Sequence, residues 1–158
     1  MPMRGRQYVM AFDNITISAV QDMLAVYAGS TKLFAVLYIS IGQVTTAGVA
    51  NQRMRLRYLP VTVTSGSGGS AGTLNRMRPG DPAATVTGRI NDTTQATTNG
   101  TAVNLWSGQW NVINGFEWVP PVPSDPPIIG ISGAVILSLD TAPASLVTNA
   151  SILVEELP

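Results

Sequence analysis

The chain contains no cysteine and no histidine. The first absence excludes disulfides and thiolate sites. The two together exclude Ser-His-Asp and Cys-His catalysis, imidazole acid–base work and the usual zinc sites. Charge is scarce as well: Asp, Glu, Lys and Arg make up 11% of 158 residues, against about a quarter in an ordinary soluble domain. No segment stays apolar for the ~20 residues that a membrane span needs. The best candidate, Leu33 to Ile41 (LFAVLYISI), is bounded by Lys32 and Gln43 and has the length of a strand. The opening residues MPMRGRQYVM lack an apolar core and a small-residue cleavage site, so no signal peptide is evident and a cytoplasmic origin is expected.

Catalytic and ligand motifs are missing too. Ser65 to Gly72 (SGSGGSAG) has the glycines of a phosphate loop but neither its lysine nor a following helix. The adjacent Glu155 and Glu156 point to opposite faces of a strand and cannot flank one substrate bond. No DxDxDG-like run offers a calcium loop. The residues therefore give no reason to expect an enzyme, a metal or any other cofactor, and a hydrolase is the weakest of the functional classes. A sparsely charged, Thr-rich chain of this kind tends to cover surface by oligomerising or by docking on a large partner.

What is present is unevenly placed. Residues 1–79 carry eight basic groups (Arg4, Arg6, Lys32, Arg53, Arg55, Arg57, Arg76, Arg78) against Asp13 and Asp22. Residues 80–158 carry Arg89 alone against seven carboxylates, so a net charge of zero hides a difference of +6 against −6. That polarity suits pairing within the chain or head-to-tail contact between copies. Direct binding of nucleic acid is not expected from a chain without a net basic balance.

Nearly every segment reads as strand: short β-branched or aromatic runs separated by Asp-Asn, Gln-Asp and Gly-Ser-Thr punctuation. Arg53 to Thr64 is one of these, with Pro60 arguing for an edge position or a bulge. Gly130 and Gly133 suggest a bend early in the stretch Ile128 to Leu139. Only Ala19 to Ala28 leaves room for a turn of helix. The expectation is one all-β domain over residues 1–158, an antiparallel sandwich of jelly-roll type with about eight strands and long loops. Residues 1–7 form an N-terminal arm, 64–82 a flexible Gly/Ser-rich loop, and Pro120 to Pro127 a stiff connector.

Two clusters stand out. Arg53, Arg55 and Arg57 in RMRLRYL alternate, so on a strand they share one face while Met54, Leu56 and Tyr58 share the core face. The arginines either pair with Glu155 or another carboxylate on a neighbouring strand, or meet a second subunit or partner. Trp106, Trp110 and Trp118 fall in WSGQWNVINGFEW, together with Phe116. Tucked away they make a core or interface cluster; exposed on a sandwich they would offer a platform for a sugar ring.

AFDNITISAVQDML, LRYLPVTVTSGSGGSAGTLNRMRPGDPAA, NDTTQATTNGTAV and the closing ILVEELP resemble, in that order, a family of small tailed-phage proteins whose characterised relatives are head decoration or cement proteins. The resemblance spans nearly the whole chain and supplies no catalytic residues. It implies a jelly-roll subunit that forms a homotrimer and clamps the major capsid protein on the outside of the head, made in the host cytoplasm and located in the virion. On that expectation Arg4, Arg6, Arg53, Arg55, Arg57, Arg76 and Arg78 are candidate interface residues, joined by Trp106, Trp110 and Trp118. The arm 1–7 and the loop 64–82 would reach neighbouring subunits. The alternative is a carbohydrate-binding jelly-roll module of a head fibre or tail.

Overall fold

A computed structural model describes residues 5–44 and 51–158. Their alternating apolar runs pair with one another and form fourteen strands: β1 (Arg6–Ile17), β2 (Gln21–Tyr27), β3 (Phe34–Gln43), β4 (Asn51–Leu59), β5 (Val63–Thr64), β6 (Ser70–Gly72), β7 (Asn75–Arg76), β8 (Thr87–Asp92), β9 (Thr97–Thr98), β10 (Val103–Asn111), β11 (Phe116–Trp118), β12 (Ile128–Ile129), β13 (Ala134–Leu139) and β14 (Leu146–Glu156). Eight run six residues or more and the other six only two or three. The described residues contain no helix, and the stretch Ala19 to Ala28 that left room for one holds β2. β2 is buried along nearly its whole length; a strand covered on both faces loses its polar alternation, which is why its period is illegible.

Twelve of the strands build two antiparallel sheets, and β5 and β9 form a separate antiparallel pair. Sheet A runs β11-β3-β14-β1-β7, with β12 also on β3, and sheet B runs β10-β4-β13-β2-β8-β6. The chain is thus the all-β antiparallel sandwich that its sequence suggests. Tyr8, Met10 and Phe12 of β1, Val36, Ile39 and Ile41 of β3, and Ile152 and Val154 of β14 form one wall of the core. Leu24 and Val26, Met54 and Leu56, and Val135, Leu137 and Leu139 form the other. A second, smaller cluster sits on the far side of sheet B, where Ala96 and Val63 beside the β5–β9 pair cover Ala25, Leu59, Ala134 and Ile136. The central strands β2 and β13 of sheet B are therefore shielded on both faces.

Three local expectations need correcting. β4 stops at Leu59, and the left-handed Val61 (φ 33°) and Thr62 (φ 47°) turn the chain out to β5. β4 also lies between β10 and β13, so Pro60 ends an interior strand and marks neither an edge nor a bulge. Residues 64–82 are not an open loop: β6 pairs with β8, β7 pairs with β1, and Ser67 bridges to Thr94. Gly66, Gly69 and Gly72 serve close approach rather than freedom. A Cβ at Gly69 would overlap the carbonyl oxygen of Ile90, and one at Gly72, the register partner of Gly88, would overlap the Met10 sulfur. The Gly130–Gly133 bend is present, closed by a 3.0 Å hydrogen bond from the Gly133 N–H to the Gly130 carbonyl, and it separates β12 from β13.

Candidate functional site

The arginine ladder lies on the outer face of sheet B, as its alternation requires. Met54 and Leu56 are fully buried between the sheets, and Tyr58 packs partly buried against them. β13 runs alongside with Ile136 opposite Arg57 and Ser138 opposite Arg55, and its other neighbour β2 sets Asp22 opposite Ser138. Asp22 thereby becomes the hub of a polar network. Its Oδ1 accepts from Arg57 Nη2 at 2.9 Å, Ser138 Oγ at 2.8 Å and Gln95 Nε2 at 3.2 Å, and its Oδ2 accepts from the Ala96 N–H at 2.7 Å. Arg57 Nε also donates to Ser138 Oγ at 2.9 Å. Burial pushes the Asp22 carboxyl above the ordinary aspartate value of 3.8, with the Ala96 amide, Ser138 and Arg57 pulling partly back.

Asp140, just past the end of β13, takes the next rung. Arg55 Nη2 donates to its Oδ1 at 2.9 Å while Nε lies 2.5 Å from Oδ2, and Arg53 Nε stands 4.0 Å away. The bend that carries Asp140 is fixed by its own N–H on the Arg53 carbonyl and by Thr141, which donates to Gln52. Exposure of the arginine side chains climbs along the ladder, from 11% at Arg57 through 30% at Arg55 to 65% at Arg53. The inner two rungs are held within the chain, and Arg53 alone projects into solvent. The carboxylates that hold them are Asp22 and Asp140; Glu155 sits on β14 in the other sheet.

Two further carboxylates organise the edge beyond β2. Asp92 is buried at the end of β8, where Arg89 grips it with two 2.7 Å bonds and the Gly69 N–H donates to it at 3.0 Å. Glu156 is buried at the end of β14; one oxygen accepts from the N–H and hydroxyl of Thr85 and from the Val86 N–H, and Lys32 lies 3.8 Å from the other. Glu156 drew notice in the sequence only as the neighbour of Glu155, and Asp22, Asp92 and Asp140 only in the count of charges. Their signal was a carboxylate inside or just after an apolar run, which reads equally well as a turn.

The tryptophans do not form a platform. Trp110 and Trp118 are core residues, 2% and 6% exposed, and Trp110 Nε1 donates to the Asn114 carbonyl at 2.8 Å. Trp106 is half-buried, with its ring 4.8 Å from that of Phe116, and joins β10 to β11 across the sandwich edge. Arg6, Arg76 and Arg78 are exposed beside the β7 edge of sheet A, and Arg76 donates to the Asp81 carbonyl at 2.7 Å. Arg4 and most of the arm 1–7 lie outside the described residues; Gln7 already belongs to β1.

The outer face of sheet A is of another kind. Val9, Leu153 and Tyr38 stand in one row across β1, β14 and β3, and Ala11, Ser151 and Ser40 in the next. The two serine hydroxyls are 2.7 Å apart. A shallow, open depression of about 340 Å³ lies over this second row, lined also by Phe12, Asp13, Asn149 and Ala150. Among the described residues no group of three His, Cys, Asp or Glu is placed to hold a metal ion, and no helix is long and apolar enough to cross a membrane.

What the arrangement offers chemically is recognition surface: buried acids tied to amides and guanidiniums, and an open face whose central rows are uncharged, with Asp13, Glu117 and Glu155 around them. Comparison of the chain with models of protein families, with curated proteins and with solved structures finds no match.

Proposed function

We propose that this chain is a structural virion protein, a decoration or cement protein that binds the major capsid protein on the outer surface of a phage head and acts there as a homotrimer. The proposal begins from the ordered resemblance described above. The strand order supports it: β1-β14-β3-β11 faces β2-β13-β4-β10, the neighbour pattern of two interleaved Greek keys, and we assign the sandwich to the jelly-roll class on that basis. Fold alone does not fix function. The observation that carries the reading is how the acids are used. Asp22, Asp92 and Glu156 are each held by backbone amides and cations, an arrangement that braces a scaffold rather than presenting an acid or base to a substrate.

A cement protein works by contact area. At about 25 cal/mol per Å² of apolar surface, modest interfaces repeated over many copies stiffen a shell, with shape fit and avidity deciding the net affinity. The sugar-binding alternative draws no support from Trp110 and Trp118, whose rings are in the core.

Particles banded on a density gradient from a lysate of the producing host test the proposal. The expected result is co-banding of the chain with heads, in fixed ratio to the major capsid protein, with antibody labelling over the intact shell. Heads that band without the chain, or label confined to the tail, would overturn it.

A further inference from the structure

Once the internal ion pairs are set aside, the cations of sheet A that remain among the described residues stand at one edge and Glu117 and Asp125 at the other, with Asp13 on β1 and Glu155 on β14 between them. At the β7 edge, Arg76, Met77 and Arg78 are exposed in sequence, with Arg6 on the strand beside them. Arg6 and Arg78 make no ion pair among the described residues. Across the sheet, beside β11 and β12, Glu117 and Asp125 are exposed and likewise make no ion pair among the described residues. Each edge also carries uncovered apolar surface: Met77 is 52% exposed on the first, and Val119, Val122 and Ile128 are 57%, 53% and 52% exposed on the second.

Both edges are preformed. The basic one is pinned by the Met77 N–H on the Gln7 carbonyl, by a turn from Arg78 to Asp81, and by the Tyr8 hydroxyl donating to the Pro82 carbonyl. The acidic one is a proline-rich ledge held by a Val122–Asp125 turn, by the Val36 N–H on the Pro127 carbonyl, and by Tyr38 donating to Glu117 at 2.8 Å. Little chain entropy is lost on docking such surfaces.

Five strands lie from one edge to the other, a span of roughly 19 Å at the usual strand spacing. One molecule cannot bring its own two edges together. A two-fold contact between like edges would set arginine on arginine or carboxylate on carboxylate. An acidic partner such as nucleic acid would suit the basic edge and leave the apolar, acidic ledge unmatched.

We infer that the occupant of each edge is a second copy of this chain, joined head to tail: Arg76, Met77 and Arg78 of one copy dock on the Glu117, Val119, Val122, Asp125 and Ile128 ledge of the next. This rests on the structural role proposed above and names the contact through which copies meet. A heterologous contact of this kind closes into a ring when its rotation permits.

Charge reversal tests it by light scattering over a dilution series. The wild type is expected to associate, and the paired variants Arg76→Glu/Arg78→Glu and Glu117→Arg/Asp125→Arg each to require on the order of tenfold or more higher concentration. An equimolar mixture of the two variants is expected to associate again, because the native edge of one meets the native ledge of the other and the two reversed surfaces are complementary as well. A chain carrying all four substitutions should associate again. Thermal melts check folding; if the Glu117 substitution lowers the melt, Asp125→Arg alone replaces that variant. A wild type that stays monomeric, variants that associate like the wild type, or a mixture that stays monomeric would overturn the inference. Heads that carry the chain while the variants remain oligomeric would overturn this contact and leave the structural role intact. Heads without it, alongside variants that fall apart and pair when mixed, would do the reverse.

Discussion

The two outer faces of this sandwich are treated in opposite ways. On sheet B, arginines and aspartates meet in a network that the chain then covers with Ala96 and Val63 beside the β5–β9 pair. On sheet A, the corresponding rows hold Val9, Leu153 and Tyr38, then Ala11, Ser151 and Ser40, and remain open. The charge-rich face is thus closed around Asp22 and Arg57 and opens only toward Arg53, while the uncharged rows at the centre of the other face are left available. A run of arginines in the sequence is a poor guide to contact surface here, because the innermost arginine of the ladder is also the most committed.

The contrast can be broken most sharply at its centre. Arg57→Ala removes the cation from a carboxylate whose side chain is 0% exposed, and a loss of about 3–5 kcal/mol is expected, as for other buried pairs deprived of one member. Urea unfolding measures it, and a loss under about 1 kcal/mol would show that the network is dispensable. A smaller effect should appear in pH dependence. Because burial holds the Asp22 carboxyl above 3.8 in the folded protein, the folded state keeps its proton to higher pH than the unfolded chain does. The contribution of Asp22 to stability is then full below the unfolded value and lost as pH rises through the folded one. Wild type minus Asp22→Asn, followed by unfolding from pH 3 upward, isolates that fall; a difference that grows with pH would reverse the sign. The smallest effects belong to the open surfaces: Arg53→Ala and Ala11→Lys should each leave stability within about 0.5 kcal/mol. A large loss at Ala11 would mean that the sheet A face is less open than its exposure implies.

Much of the framework was legible in the residues. The alternation in RMRLRYL placed Met54 and Leu56 in the core and the arginines outside, since a strand leaves no other choice. The partners were not legible, because Asp22 lies 35 residues before Arg57 and Asp140 lies 85 after Arg55. Only sheet order brings them together. SGSGGSAG misled for a different reason: a glycine that lets backbone approach Ile90 looks the same in sequence as one that lends flexibility. For the tryptophans, parity along the chain was not enough. Trp106 and Trp110 both lie past the register shift at Asn104 and face the core, yet only Trp110 is fully buried, while Trp106 stays half-buried beside Phe116.

The position of β14 bears on how the molecule is made. It follows every other strand in the chain yet lies between β1 and β3, pairing Arg6 with Glu156 at one end and Ile17 with Leu146 at the other. During synthesis, β1 and β3 must wait with unpaired edges until the residues up to 156 have emerged. Contacts this distant in sequence make for folding in milliseconds to seconds rather than microseconds. Through that interval the nascent sheet is exposed to pairing with the wrong chain. The strand that completes sheet A is therefore also the one that ends its vulnerability to aggregation.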